Sequence, residues 1–126
     1  MNIYITGISG FLGINLTRFF LDQENIRVSG IDLEPFNYPE LDRIDFTQGD
    51  IRDVDTLAKS MAGADMVVHC AAALPLYPPE EIFSTDVQGT RNVLDEARRI
   101  GVQRVVHISS TAVYGVPDHH PLYEHD

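Results

Sequence analysis

The chain predicts an α/β fold, a doubly wound parallel sheet with strand order 3-2-1-4-5. Three observations carry this. Short apolar runs alternate with segments of helical period, as in a parallel sheet covered on both faces. The first run breaks at a glycine-rich turn that opens into a helix. An acidic residue, Asp32, closes the second run.

The elements follow in order. Asn2–Thr6 is apolar, β-branched and aromatic, and it stops at Gly7, as a buried strand does on meeting a turn. Leu12, Leu16, Phe19 and Phe20 lie at helical spacing and predict an amphipathic helix. Residues 26–31 form the second strand, and a loop with Pro35 and Pro39 follows. Residues 44–48 make a weaker third strand. Val54, Leu57, Ala58 and Met61 mark a short helix that Gly63 can end in a left-handed conformation. Residues 66–70 are the fourth strand. Phe83, Val87, Leu94 and Ala97 predict one long helix over about residues 80–100, closed by Arg98, Arg99 and Gly101. Residues 104–108 are the fifth strand. Right-handed crossovers between these strands give the doubly wound order. Residues 117–126 lack periodicity and read as a loop.

Composition narrows the function. Nine Lys and Arg against nineteen Asp and Glu leave a net charge of −10, which argues against a nucleic-acid groove or an anionic membrane surface as partner. One cysteine, Cys70, excludes an intrachain disulfide and a cysteine-built metal cage. His119, His120 and His125 lie in a loop without a ligand pattern, so no metal is expected. Met1–Ile5 carries no basic leader, and no apolar run approaches the ~18 residues of a membrane span. A cytoplasmic protein is expected.

The turn reads Thr6-Gly7-Ile8-Ser9-Gly10-Phe11-Leu12-Gly13. Gly7 permits a tight turn, Gly10 lets the backbone approach a pyrophosphate, and Gly13 lets the helix pack closely on the sheet. The helix N-terminus offers free N–H groups to phosphates. Asp32, about twenty residues past the last glycine, is placed to hold a ribose diol. Its charge would repel a 2′-phosphate, and no Lys or Arg appears before Arg43, so NAD is expected rather than NADP.

The glycine spacing, together with Phe11 and Leu12, resembles the fingerprint of the extended short-chain dehydrogenase/reductase family, the NAD-dependent epimerases and dehydratases. Three further segments are similar to that family: Gly49-Asp50-Ile51-Arg52-Asp53, His69-Cys70-Ala71-Ala72-Ala73, and Ser109-Ser110-Thr111-Ala112-Val113-Tyr114-Gly115. The resemblance implies a Rossmann-type domain with NAD held by Gly7, Ser9, Gly10, Phe11, Leu12, Gly13, Asp32 and Leu33. It adds Asp50 at the adenine amino group, Ile51 against its ring, the small residues Cys70, Ala71, Ala72 and Ala73, and Asp86. For Asp50 the residues alone also allow a helix-capping role, shared with Asp53. His69 reads as a hydrogen-bonded core histidine and Tyr114 as packing.

The resemblance implies hydride transfer at a sugar carbon of a nucleotide sugar. Ser110 would support the substrate oxygen, with Thr111 the alternative, beside a Tyr-x-x-x-Lys pair. No such pair occurs among residues 1–126, whose one lysine is Lys59. The expectation is therefore an incomplete Rossmann domain, the N-terminal cofactor half of a longer, homodimeric enzyme. Two alternatives stand beside it: an NAD(P)-binding redox-sensing module without turnover, and a ketone- or steroid-type reductase of the same extended group. The chain departs from the family at Asp86, where Asn is usual and an amide could donate, and at Leu74-Pro75, where a polar residue is common in sugar epimerases.

Overall fold

The computed structural model describes Met1–Asp126. Five parallel strands, β1 (Asn2–Thr6), β2 (Arg27–Asp32), β3 (Asp45–Gln48), β4 (Met66–His69) and β5 (Arg104–His107), form one sheet in the order β3-β2-β1-β4-β5. The helices are α1 (Phe11–Leu21), α2 (Val54–Met61), α3 (Pro79–Phe83) and α4 (Thr90–Ile100). Successive strand residues face opposite sides, so the sheet separates two cores. Ile3, Ile5, Val28 and Val68 pack with Ile14 of α1 on one face. Tyr4, Ile31 and Val67 pack with Leu57 and Met61 of α2 and Val93 and Ala97 of α4 on the other. The Tyr4 phenol bonds Ser60 Oγ at 2.8 Å.

Local chemistry explains most boundaries. Asp53 caps α2 by accepting from the amides of Asp55 and Thr56. Gly101 ends α4 in the left-handed region, its amide reaching back to the carbonyls of Ala97 and Arg98. The loop after β2 is anchored: Phe36 is buried, its ring 5.0 Å from Tyr38 and 5.8 Å from Phe46, and Arg18 of α1 pairs with Glu40 at 2.6 Å.

Two helical expectations need correction. The buried face of α1 is Gly13, Ile14 and Thr17, whereas Leu12 and Phe19 are exposed. Small residues let the helix axis come close to the sheet, and the bulky stripe is left at the margin. The long helix is also not uniform. Ser84–Gly89, between α3 and α4, winds as a π-helix. Its wider turn shifts the helical phase. Phe83 and Val87, aligned on an ideal helix with Ala97, are therefore exposed, Leu94 lies exposed on α4 beside its buried face, and the inward positions are Gly89, Val93 and Ala97.

Candidate functional site

The C-terminal ends of β1, β2 and β4 surround a cavity of about 190 Å³. This is the place where a doubly wound sheet leaves a crevice, because the chain order reverses between β1 and β4. Gly7 and Gly10 line it from the turn, Ile31 and Asp32 from β2 and Leu33 just after it, Gly49, Asp50 and Ile51 from the loop after β3, and Cys70, Ala71 and Ala72 from the loop after β4. A second cleft of about 350 Å³ shares Cys70–Ala72 and extends past β4 along Asp86, Thr90 and His107–Ser110.

The glycine turn is built for close approach. Gly7 has φ +72°, and a Cβ there would lie 2.9 Å from the Ala71 amide nitrogen. A Cβ on Gly13 would lie 2.4 Å from Gly7 O and 2.5 Å from Ile8 O, so this glycine lets the first turn of α1 sit directly on the backbone that leaves β1. The first intrahelical bond of α1 runs from the Ile14 amide to Gly10 O, which leaves the amides of Phe11, Leu12 and Gly13 without intrahelical acceptors. No side chain caps this end. Open amides at a positive dipole end suit a phosphate.

Asp32 holds the turn against β2. Its Oδ2 accepts from the Ser9 amide and its Oδ1 from the Glu34 amide, each at 2.9 Å. Each oxygen keeps lone-pair capacity toward the cavity. Ser9 does not line the cavity: its hydroxyl donates to Glu34 O and its carbonyl accepts from the Tyr38 phenol. The first cation after Asp32, Arg43, is turned away and bonds Leu21 O.

Asp50 is gripped by Arg52, with Nη2 2.7 Å from Oδ2 and the Arg52 amide 2.9 Å from Oδ1. Burial opposes its ionisation, but these bonds prevail and hold the carboxyl below its usual range. It caps no helix; Asp53 does that. Arg52 also donates to Ser84 Oγ, tying the loop after β3 to the π-helical turn. Ile51 fills the space beside Gly89, where a Cβ would lie 2.6 Å from its Cδ1.

A buried polar chain sets the loop after β4. Thr6 Oγ1 accepts from the amides of Cys70 and Ala71, both at 3.1 Å. Its own proton therefore goes to His69 Nδ1 at 2.6 Å. His69 is then the neutral Nε2–H tautomer, donating to Thr90 Oγ1 at 2.8 Å. Burial and the neighbouring His107 push its pKa down to about 4, against an opposing pull from Asp86. Asp86 Oδ1 accepts from the Ala73 amide at 2.7 Å. Burial pushes the Cys70 thiol up to about 11, which keeps it in the protonated form at neutral pH. Ser110 lines the second cleft, with its Oγ accepting from the Ala112 amide at 3.1 Å.

Of the residues expected at the site, the first cavity brings together Gly7, Gly10, Asp32, Leu33, Asp50, Ile51, Cys70, Ala71 and Ala72. Asp86 and Ser110 meet in the second cleft. Phe11, Leu12, Gly13 and Ala73 flank these spaces without lining them. Ile31, Gly49 and Thr85 also line the cavity and were not anticipated. Thr85 carries no sequence signal, because a π-helical turn hides its phase.

The sequence pattern of the NAD dependent epimerase/dehydratase family matches residues 3–126. The chain belongs to that family. Among NAD dependent epimerase/dehydratase relatives, it is 36% identical over 126 residues to an N-acetyl-alpha-D-glucosaminyl-diphospho-ditrans,octacis-undecaprenol 4-epimerase of Escherichia coli O157:H7, covering 98% of this chain and 37% of the relative. It is 34% identical to a 3 beta-hydroxysteroid dehydrogenase/Delta 5-->4-isomerase of Mycobacterium tuberculosis, covering 88% of this chain and 32% of the relative. The fold matches the UDP-glucuronic acid 4-epimerase from Bacillus cereus, solved in complex with NAD, at a TM-score of 0.80 and 29% identity, covering 94% of this chain and 43% of that one. The chain thus spans roughly a third to two fifths of the length of these proteins.

The residues here fit the family's cofactor. The open amides of α1 suit its pyrophosphate, the lone pairs of Asp32 suit a ribose diol, and the Asp50–Ile51 wall suits a flat base. When bound, NAD supplies the acceptor and donor of a hydride. The protein's share is to position it. No helix is long and apolar enough to cross a membrane.

Proposed function

We propose that residues 1–126 are the cofactor-holding half of an NAD-dependent enzyme that oxidises and re-reduces a carbon of a nucleotide sugar, as an epimerase or dehydratase does. The observation that carries this is the pairing of the crevice at the strand ends with a hydroxyl in the adjoining cleft, which shares Cys70–Ala72 with it. Asp32 and the α1 amides lie at the crevice, and Ser110 lies in the second cleft. Ser110 would donate to the substrate oxygen where charge develops, the place where one such donor matters most. The proton-transferring Tyr and Lys would come from sequence outside these residues. The sugar relatives support the substrate class, and the steroid relative marks the reading that competes with it.

Calorimetric titration of the chain with NAD⁺ and NADP⁺ tests the cofactor half of this proposal. NAD⁺ should bind and NADP⁺ should bind at least tenfold more weakly. In Asp32→Asn the gap should narrow, since the charge facing a 2′-phosphate is gone. Equal or tighter binding of NADP⁺ by the unaltered chain would overturn the assignment.

A further inference from the structure

We infer that Asp86 makes this site selective for the oxidised form of its cofactor. The inference rests on the proposal that the two clefts hold one dinucleotide. If Asp32 takes a ribose and the Phe11–Gly13 amides take the pyrophosphate, the other end of the molecule falls in the second cleft. Asp86 is the one Asp, Glu, Lys or Arg that lines that cleft.

Its carboxylate is fixed and forms no ion pair within residues 1–126. Oδ1 accepts from the Ala73 amide, which pins the side chain across from the loop after β4. Oδ2 takes no hydrogen bond within the chain. His69 supplies no countercharge, because the Thr6 hydroxyl donates to its Nδ1. The π-helical turn Ser84–Gly89 carries Asp86, so its position is set by backbone geometry and not by a flexible loop.

An oxidised nicotinamide ring carries one positive charge and a reduced ring carries none. A carboxylate beside the ring therefore attracts the oxidised form and leaves the reduced form unaffected. Across a solvent-accessible cleft of intermediate dielectric, such an attraction corresponds to roughly tenfold in relative affinity. An amide at position 86 could accept the same bond from Ala73 without that charge.

The test measures dissociation constants for NAD⁺, NADH and ADP-ribose with the chain and with Asp86→Asn. It is run at pH 8, where an ordinary imidazole is uncharged. The preference for NAD⁺ over NADH should fall roughly tenfold in the variant, while ADP-ribose, which lacks the ring, binds both proteins alike. An unchanged NAD⁺/NADH ratio would overturn the inference while leaving the cofactor site standing. Failure of ADP-ribose and both dinucleotides to bind the unaltered chain would overturn the cofactor site, and the inference with it. A second measurement needs no variant: the NAD⁺/NADH ratio of the unaltered chain should shrink from about 20 mM to about 500 mM salt. A salt-independent ratio counts against a charge at Asp86.

Discussion

His69 shows how a single titratable residue can be structural. The Thr6 hydroxyl has spent both lone pairs on backbone amides, so it must donate to Nδ1, and the ring stays neutral. Protonating His69 would break that bond and charge a buried ring. Its pKa is near 4 in the fold and about 6.5 when exposed, so between those values the unfolded chain binds more protons. Stability therefore rises with pH across that window and is lost as pH falls from about 6.5 to 4. The full shift is worth about 3 kcal/mol. Denaturant unfolding from pH 7 to 4.5 should show this loss, and His69→Gln, though less stable throughout, should show a flatter pH dependence. An identical slope in the variant would exclude His69 as its source.

At the scale of elements, α1 and the long helical segment show what periodicity misses. α1 meets the sheet through Gly13, Ile14 and Thr17, and Thr17 Oγ1 is buried with no hydrogen-bond partner. Burying an unpaired hydroxyl is costly, and valine has the same shape without it. Thr17→Val should raise the unfolding free energy by about 1 kcal/mol, read from the denaturation midpoint. A loss of stability would mean the hydroxyl has a partner. Leu12 and Phe19 carry the stronger apolar signal in the sequence, but small residues win the contact by letting backbones approach. The π-helical turn is harder still to anticipate, since a change of helical phase leaves no compositional mark. It nevertheless sets Asp86 and Thr85 toward the clefts. By contrast, the strands, the glycine turn, Asp32 and Asp50 were legible, because each is tied to a local cause: an apolar run, a positive φ, or a carboxylate at a strand end. The hydrogen-bond grip of Arg52 on Asp50, and the Thr6–His69–Thr90 chain, depend on residues far apart in sequence and could not be read there.

The whole molecule leaves apolar surface open. Val106 and Ile108 are exposed at the β5 edge of the sheet, as are Phe83, Val87 and Leu94 on the long helical segment. Edges and apolar patches of this kind favour pairing with another chain. The net charge of −10 opposes it, but screening shortens its reach to ~10 Å at moderate salt. Sedimentation of the purified 126-residue chain should therefore show self-association that grows with salt. A stable monomer at every salt would show that these surfaces need no cover. Whether the crevice at the strand ends holds the dinucleotide can be read by titrating isotopically labelled chain with NAD⁺ while following backbone amide resonances. The largest shifts should fall on Gly10, Phe11, Leu12, Leu33 and Ala71–Ala72. Shifts confined to other surfaces, or none at saturating NAD⁺, would contradict this placement of the cofactor.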